Sequence, residues 1–289
     1  MIVLDGAMGT ELERRGVNTK LPLWSAIALD AAPDVVERIH SEYLAAGAQV
    51  ITTNTFRTNL RALRKAGMAH RARELTQRAV ALARRALQNH PGSDKAMVAG
   101  SIAPVEDCYS PELVPGDADL LEEHAVLAGY LADAGVDLLL IETQNTIREA
   151  VAAMRAARAT DKPVWISFTL NDKNQLLSGE SLEDAVRAVL PWQPHAVLVN
   201  CVPVPQVASA ISRLRAIVPA DIPIGAYANA GRVDESGQWT MEGGVSPIEY
   251  ADAAREWRAL GATIIGGCCG TTPAHIEALA RQLNDGQRG

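Results

Sequence analysis

Apolar positions along this chain follow two alternating rhythms. Short, nearly unbroken runs rich in Val, Ile and Leu are each followed, after a turn, by a longer segment in which apolar residues recur every three or four positions. The short runs are IVLD (2–5), QVITTN (49–54), AMVAGSI (96–102), VDLLLIET (136–143), PVWISFTL (163–170), HAVLVNC (195–201), IPIGAYAN (222–229) and ATIIGG (262–267). Continuous rather than alternating apolarity is what a parallel strand shows when both of its faces are covered. The longer segments, among them PDVVERIHSEYLAAG, DLLEEHAVLAGYLADAG, IREAVAAMRAARA and PIEYADAAREWRALG, have helical spacing. Several end on a Gly suited to the left-handed position past a helix C-terminus.

Such alternation requires parallel strands joined by crossover helices. Eight units in 289 residues predict a (β/α)8 TIM barrel, one domain over residues 1–289, because no linker or low-complexity segment divides them. An open doubly wound sheet satisfies the same alternation, since closure is not written in a sequence. In both architectures ligands meet the carboxyl ends of the strands.

Composition narrows the partners. No apolar run approaches the roughly 20 residues of a membrane span, and the opening MIVLDGAMGTEL lacks the basic and long apolar segments of a secretory signal, which predicts a cytoplasmic protein with reduced thiols. The net charge of −7 has no basic block to offset it, and the basic residues of RARELTQRAVALARR (71–85) are spread along a helical pattern. That balance speaks against nucleic acid and leaves small molecules as the expected partners. No GxGxxG or Walker sequence points to a nucleotide cofactor. Amphipathic helices suit a monomer and a homodimer equally.

The polar or reactive residues at the strand ends are Asp5, Asn54, Glu142, Asn200 with Cys201, Asn229, and Cys268 with Cys269. Three of the four cysteines therefore sit at the ends of the sixth and eighth strands, which a barrel brings toward one point. A turn beginning at Gly266-Gly267 would aim both adjacent sulfurs at a single centre. Three cysteine ligands with one open position describe a catalytic zinc site, since structural zinc is normally closed by four protein ligands. Two other readings stand beside it. The cysteines can be small buried hydrophobes, or GGCCGTTP can bind phosphate at the start of a helix with Thr272 as N-cap and Pro273 at N1. Cys108, in VEDCYSPEL, is read as a passive thiol, and the six histidines show no metal-ligand pairing.

These residues carry a resemblance. DGAMGTELERRG (5–16), LWSA (23–26), AGAQVITTNTF (46–56), DLLLIET (137–143), SFTL (167–170), NC (200–201), YANAG (227–231) and GGCCGTTPAHI (266–276) occur in the order found in the homocysteine S-methyltransferase family. The chain is most similar to the single-domain, S-methylmethionine-dependent members. The resemblance implies a barrel, zinc held by Cys201, Cys268 and Cys269, and an amino group of homocysteine held by Asp5 and Glu142. It implies transfer of a methyl group from a sulfonium donor, S-methylmethionine or S-adenosylmethionine, to homocysteine, forming methionine. Betaine or another quaternary ammonium, or a related thiol or selenol acceptor, would meet the same chemistry. Zinc would activate the substrate thiol, whose free pKa near 8.5 leaves it mostly protonated at pH 7. Trp24 and Tyr227 are the candidate aromatic surface for a cationic donor. The chain departs from the family's Gly-x-Asn-Cys at Leu198, a residue expected to narrow the pocket or shift its strand.

Overall fold

The structure, a computed structural model, describes residues 1–91, 95–233, 239–240 and 243–285. All eight apolar runs form strands: β1 Ile2–Val3, β2 Val50–Thr52, β3 Met97–Ile102, β4 Leu138–Gln144, β5 Val164–Phe168, β6 Ala196–Pro203, β7 Ile224–Asn229 and, after a small antiparallel hairpin of β8 Arg232–Val233 with β9 Trp239–Thr240, β10 Ala262–Gly267. The eight are parallel neighbours in the order β1-β10-β7-β6-β5-β4-β3-β2. The free edges then meet. Leu4 bridges Val50, the Asp5 amide donates to the Val50 carbonyl at 2.9 Å, and the Gln49 amide donates to the Val3 carbonyl at 2.8 Å. That closure distinguishes a (β/α)8 barrel from the open sheet.

The helices that cover the strands are α1 Gly9–Arg14, α2 Ala28–Ala31, α3 Pro33–Ala45, α4 Leu60–Lys65, α5 Ala72–Gln88, α6 Asp117–Asp133, α7 Ile147–Arg158, α8 Leu182–Val189, α9 Val204–Ile217, α10 Pro247–Ala259 and α11 Pro273–Asp285. Their starts are set by side chains: Asn59, Thr146, Ser181 and Ser246 each accept an amide of the first turn, contacts typically worth about 1 kcal/mol apiece. Among the described residues no helix is long and apolar enough to cross a membrane.

Two cores result. The larger lies between strands and helices, and the smaller fills the barrel with Leu4, Val50, Leu138, Leu140, Leu198 and Ile264 among others. Leu198 is thus part of the barrel filling; it pairs in register with Ser167 and Gly225 and does not line the cavity at the strand ends. Where β7 and β10 approach most closely only Gly fits, since a Cβ on Gly225 would lie 2.0 Å from the Ile264 carbonyl oxygen.

Candidate metal centre and substrate pocket

The strand ends are bent into the site by two inserted residues. Pairing of β6 with β7 runs to Asn200–Tyr227 and resumes at Pro203–Asn229, one residue longer on β6, and pairing of β4 with β5 shows the same excess between Ile141 and Gln144. Bulges of this kind re-aim side chains at barrel rims. Here they place Cys201 at φ 54° and Thr143 at φ 59°, a left-handed conformation that costs a non-glycine residue about 1–3 kcal/mol.

One side chain holds both. Asn200 is fully buried; its Oδ1 accepts from the Thr143 amide at 2.9 Å and from the Ser167 hydroxyl at 2.6 Å. Its Nδ2 donates to the Thr143 hydroxyl at 2.8 Å and to Cys201 Sγ at 3.4 Å. Asn200 was given no role by its place in the sequence, because Thr143 and Ser167, which it ties to Cys201, lie 57 and 33 residues away.

The other two sulfurs come from a tight turn after β10. The Thr271 amide donates to the Cys268 carbonyl at 3.0 Å, and Gly270, at φ 81°, supplies the left-handed third position that a type II turn needs. Sequence reasoning assigned the turn to Gly266-Gly267, but both remain in the strand. Their small size serves close packing: a Cβ on Gly266 would lie 2.4 Å from Leu4 Cβ, and one on Gly267 would lie 2.3 Å from Thr271 Oγ1. Thr271 is fully buried, donates to the Cys268 carbonyl at 2.7 Å and accepts from the Ala7 amide at 3.2 Å. Thr272 does precede α11 as expected, but its amide and hydroxyl both engage His275 Nδ1 at 3.2 and 3.0 Å. The hydroxyls of this turn are therefore occupied within the protein.

The three thiols of Cys201, Cys268 and Cys269 lie within 4.8 Å of one another, the one metal-competent cluster among the described residues. Hydrogen bonds from Cys201 and Cys268 hold the Cys269 thiol well below its usual range, while hydrogen bonds with Cys268 and Cys269, then burial, push Cys201 up. One thiolate is favoured, and further ionisation calls for a cation. Cys108 also faces the cavity, but burial pushes it up to about 12, so it stays protonated.

Asp5 and Glu142 reach the same cavity, of about 410 Å³. Asp5 accepts from the Thr52 amide at 2.7 Å and from its hydroxyl at 3.0 Å; burial nevertheless pushes its carboxyl up to about 8. Glu142 accepts from Ser101, and from the Tyr227 hydroxyl at 3.3 Å, and burial pushes it up to about 7. Tyr227 is consequently a partner of Glu142 inside the pocket. Trp24 also lines the cavity, edge-on to Phe56 with ring centroids 5.5 Å apart, and packed so tightly on α1 that a Cβ at Gly9 would lie 2.2 Å from its ring. Asn54 lines the cavity and donates to the Ser25 carbonyl at 2.9 Å, whereas Asn229 does not line it. Residues that the strand-end reading passed over, Thr52, Ser101, Arg57 and Tyr109, complete the walls. Ser101 and Thr52 lie within strands 3 and 2, where polar residues inside apolar runs are the only signal.

Comparison with known proteins agrees with this geometry. A family model described as homocysteine S-methyltransferase matches residues 2–283. The chain is 33% identical to a homocysteine S-methyltransferase of Escherichia coli, over 96% of this chain and 94% of that one, and 31% identical to homocysteine S-methyltransferase YbgG of Bacillus subtilis, over 97% and 93%. The crystal structure of the homocysteine methyltransferase MmuM from Escherichia coli in its metallated form superposes with a TM-score of 0.85 at 30% identity, covering 98% of this chain and 96% of that one. By sequence and fold alike, the chain belongs to the homocysteine S-methyltransferase family.

Proposed function

We propose that this protein transfers a methyl group from a sulfonium donor, S-methylmethionine or the related S-adenosylmethionine, to the thiol of homocysteine, forming methionine. The observation that carries the reading is the shared cavity of three convergent thiols and two buried carboxyls. The thiols fit zinc: they are soft donors, three in number, and leave one side open to a substrate sulfur. The Escherichia coli relative is described in a metallated form, which supports a metal in a protein of this fold. Zinc bound by Cys201, Cys268 and Cys269 would lower the pKa of the substrate thiol so that it reacts as thiolate at neutral pH.

The chain's own residues do the rest. Asp5 and Glu142 are poised near neutrality by burial, so an arriving ammonium draws both into the charged form and is held between β1 and β4. Ser101, Tyr227 and Thr52 fix the direction of those carboxylates. Held by its amino group, the acceptor has little freedom left at its sulfur, which is the alignment that an in-line displacement at a methyl carbon requires. Trp24 offers the approaching sulfonium an aromatic wall. A phosphate-binding reading gains no support, because the Gly270, Thr271 and Thr272 amides donate to Thr10, the Cys268 carbonyl and His275, and both threonine hydroxyls are engaged internally as well.

The test is a donor panel. Metal-loaded protein is incubated with homocysteine and, separately, S-methylmethionine, S-adenosylmethionine, betaine or methyltetrahydrofolate, and methionine is quantified. The sulfonium donors should give methionine; formation from betaine or methyltetrahydrofolate alone would refute the donor assignment.

A further inference from the structure

Both partners in the proposed reaction carry a carboxylate, yet the cavity is strongly acidic. Asp5, Glu13, Asp107 and Glu142 line it together with the thiol cluster, and among its described lining residues Arg57 is the one cation. We infer that Arg57 receives the carboxylate of the methyl donor, an assignment that rests on the sulfonium-donor reading above.

Arg57 is placed for this. It follows β2, is only 8% exposed, and is anchored by one guanidinium nitrogen, which donates to the Glu106 carbonyl at 2.9 Å. Its second terminal nitrogen stands 3.8 Å from the Asp107 carboxylate, too long for a strong pair, and its Nε has no hydrogen-bond partner. A buried guanidinium has five donors to satisfy, so this one retains capacity for an anion. The guanidinium also lies 5.6 Å from the Phe56 ring, which stands edge-on to Trp24. A contiguous wall thus runs from a fixed cation to aromatic rings, matching a ligand whose carboxylate and onium centre are a few bonds apart.

The position also separates donor from acceptor. Asp5 and Glu142 stand at the ends of β1 and β4 inside the barrel mouth, whereas Arg57, Asp107 and Tyr109 belong to the loops after β2 and β3. An acceptor held at Asp5 and Glu142 leaves Arg57 for the second substrate.

The experiment is calorimetric titration of metal-loaded protein, without homocysteine, using S-methylmethionine and its carboxamide, which is neutral at the carboxyl and nearly isosteric. A charge-assisted contact predicts roughly tenfold to hundredfold tighter binding of the acid. Arg57→Gln should abolish that preference, Arg57→Lys should restore part of it, and the KM for homocysteine should not change. The wild-type comparison needs no variant: equal binding of acid and amide, with methionine still formed from the acid, overturns the Arg57 assignment alone. A preference that survives in Arg57→Gln overturns it as well. Failure of every sulfonium both to bind and to donate overturns this inference together with the reading on which it rests.

Discussion

Asn200→Ala is the substitution that most directly probes how the three thiols of the candidate metal centre are held together. Asn200 makes four hydrogen bonds from a fully buried position and connects the two left-handed residues, Thr143 and Cys201. Alanine removes all four. The Ser167 and Thr143 hydroxyls can rotate toward other acceptors, but the Thr143 amide has no such freedom, and an unsatisfied buried donor costs about 1–3 kcal/mol. The conformational cost at Thr143 and Cys201 is then no longer offset by this bridge. A total destabilisation of about 3 kcal/mol follows, near the upper end of what single substitutions do. It should be measured by urea unfolding, with the slope checked for two-state behaviour. The second consequence is functional: with its Nδ2 contact gone, Cys201 Sγ is no longer directed at Cys268 and Cys269, and loss of such an outer-shell partner typically lowers metal affinity about 10- to 100-fold. Competition with a chromophoric chelator reads that quantity. Ser167→Ala is the control, since it deletes one bond to Asn200 and leaves Cys201 untouched; it should cost about 1 kcal/mol and leave metal affinity within about twofold. The reasoning is refuted if Asn200→Ala and Ser167→Ala bind metal equally well.

Cys268→Ser should lose both the metal, expected at one per chain by elemental analysis of protein purified without chelator, and methionine formation; full metal retention in that variant would refute the three-sulfur site. Burial raises Glu142 from 4.5 to about 7, so the folded protein binds a proton that the unfolded chain releases. That contribution to stability is complete below about pH 4.5 and is lost as pH rises through 7. Glu142→Gln should therefore gain thermal stability relative to wild type between pH 5.5 and 8.5 in substrate-free protein, and a pH-independent difference would refute a raised carboxyl. Gly9→Ala would bring a Cβ to 2.2 Å from the Trp24 ring and should raise the KM for the donor several-fold while leaving metal content unchanged; an unchanged donor KM would remove Trp24 from the donor wall.

The eight strands were legible because burial on both faces leaves continuous apolar runs, and the cysteines were legible because parallel strands gather their carboxyl ends. Other features were hidden for physical reasons. A Thr or Cys at φ above 50° contradicts intrinsic preference, and it arises here from bulges held by Asn200 across three strands. Gly266 and Gly267 look like a turn in sequence, yet their role is close approach to Leu4 and Thr271, while Gly270 makes the turn. Arg57 reads as one more basic residue beside a helix, and only the folded cavity isolates it among acids. Leu198, which departs from the family pattern, points to the barrel filling and so leaves the pocket its room.

These placements divide the site by rigidity. Asn200, Thr143 and Thr271 are fully buried, and with the filled barrel beneath them they make the side that carries the three thiols and the two carboxyls a fixed floor. The outer wall is built differently: Leu21 is 71% exposed and Tyr109 is 58% exposed, and both come from loops. Loop residues change at little cost to the fold, whereas a floor tied into four or more strands does not. It follows that substitutions at Leu21, Arg57 and Tyr109 are the route by which this barrel would change its methyl donor while keeping its thiol chemistry, and that donor preference is the property least constrained by the metal centre.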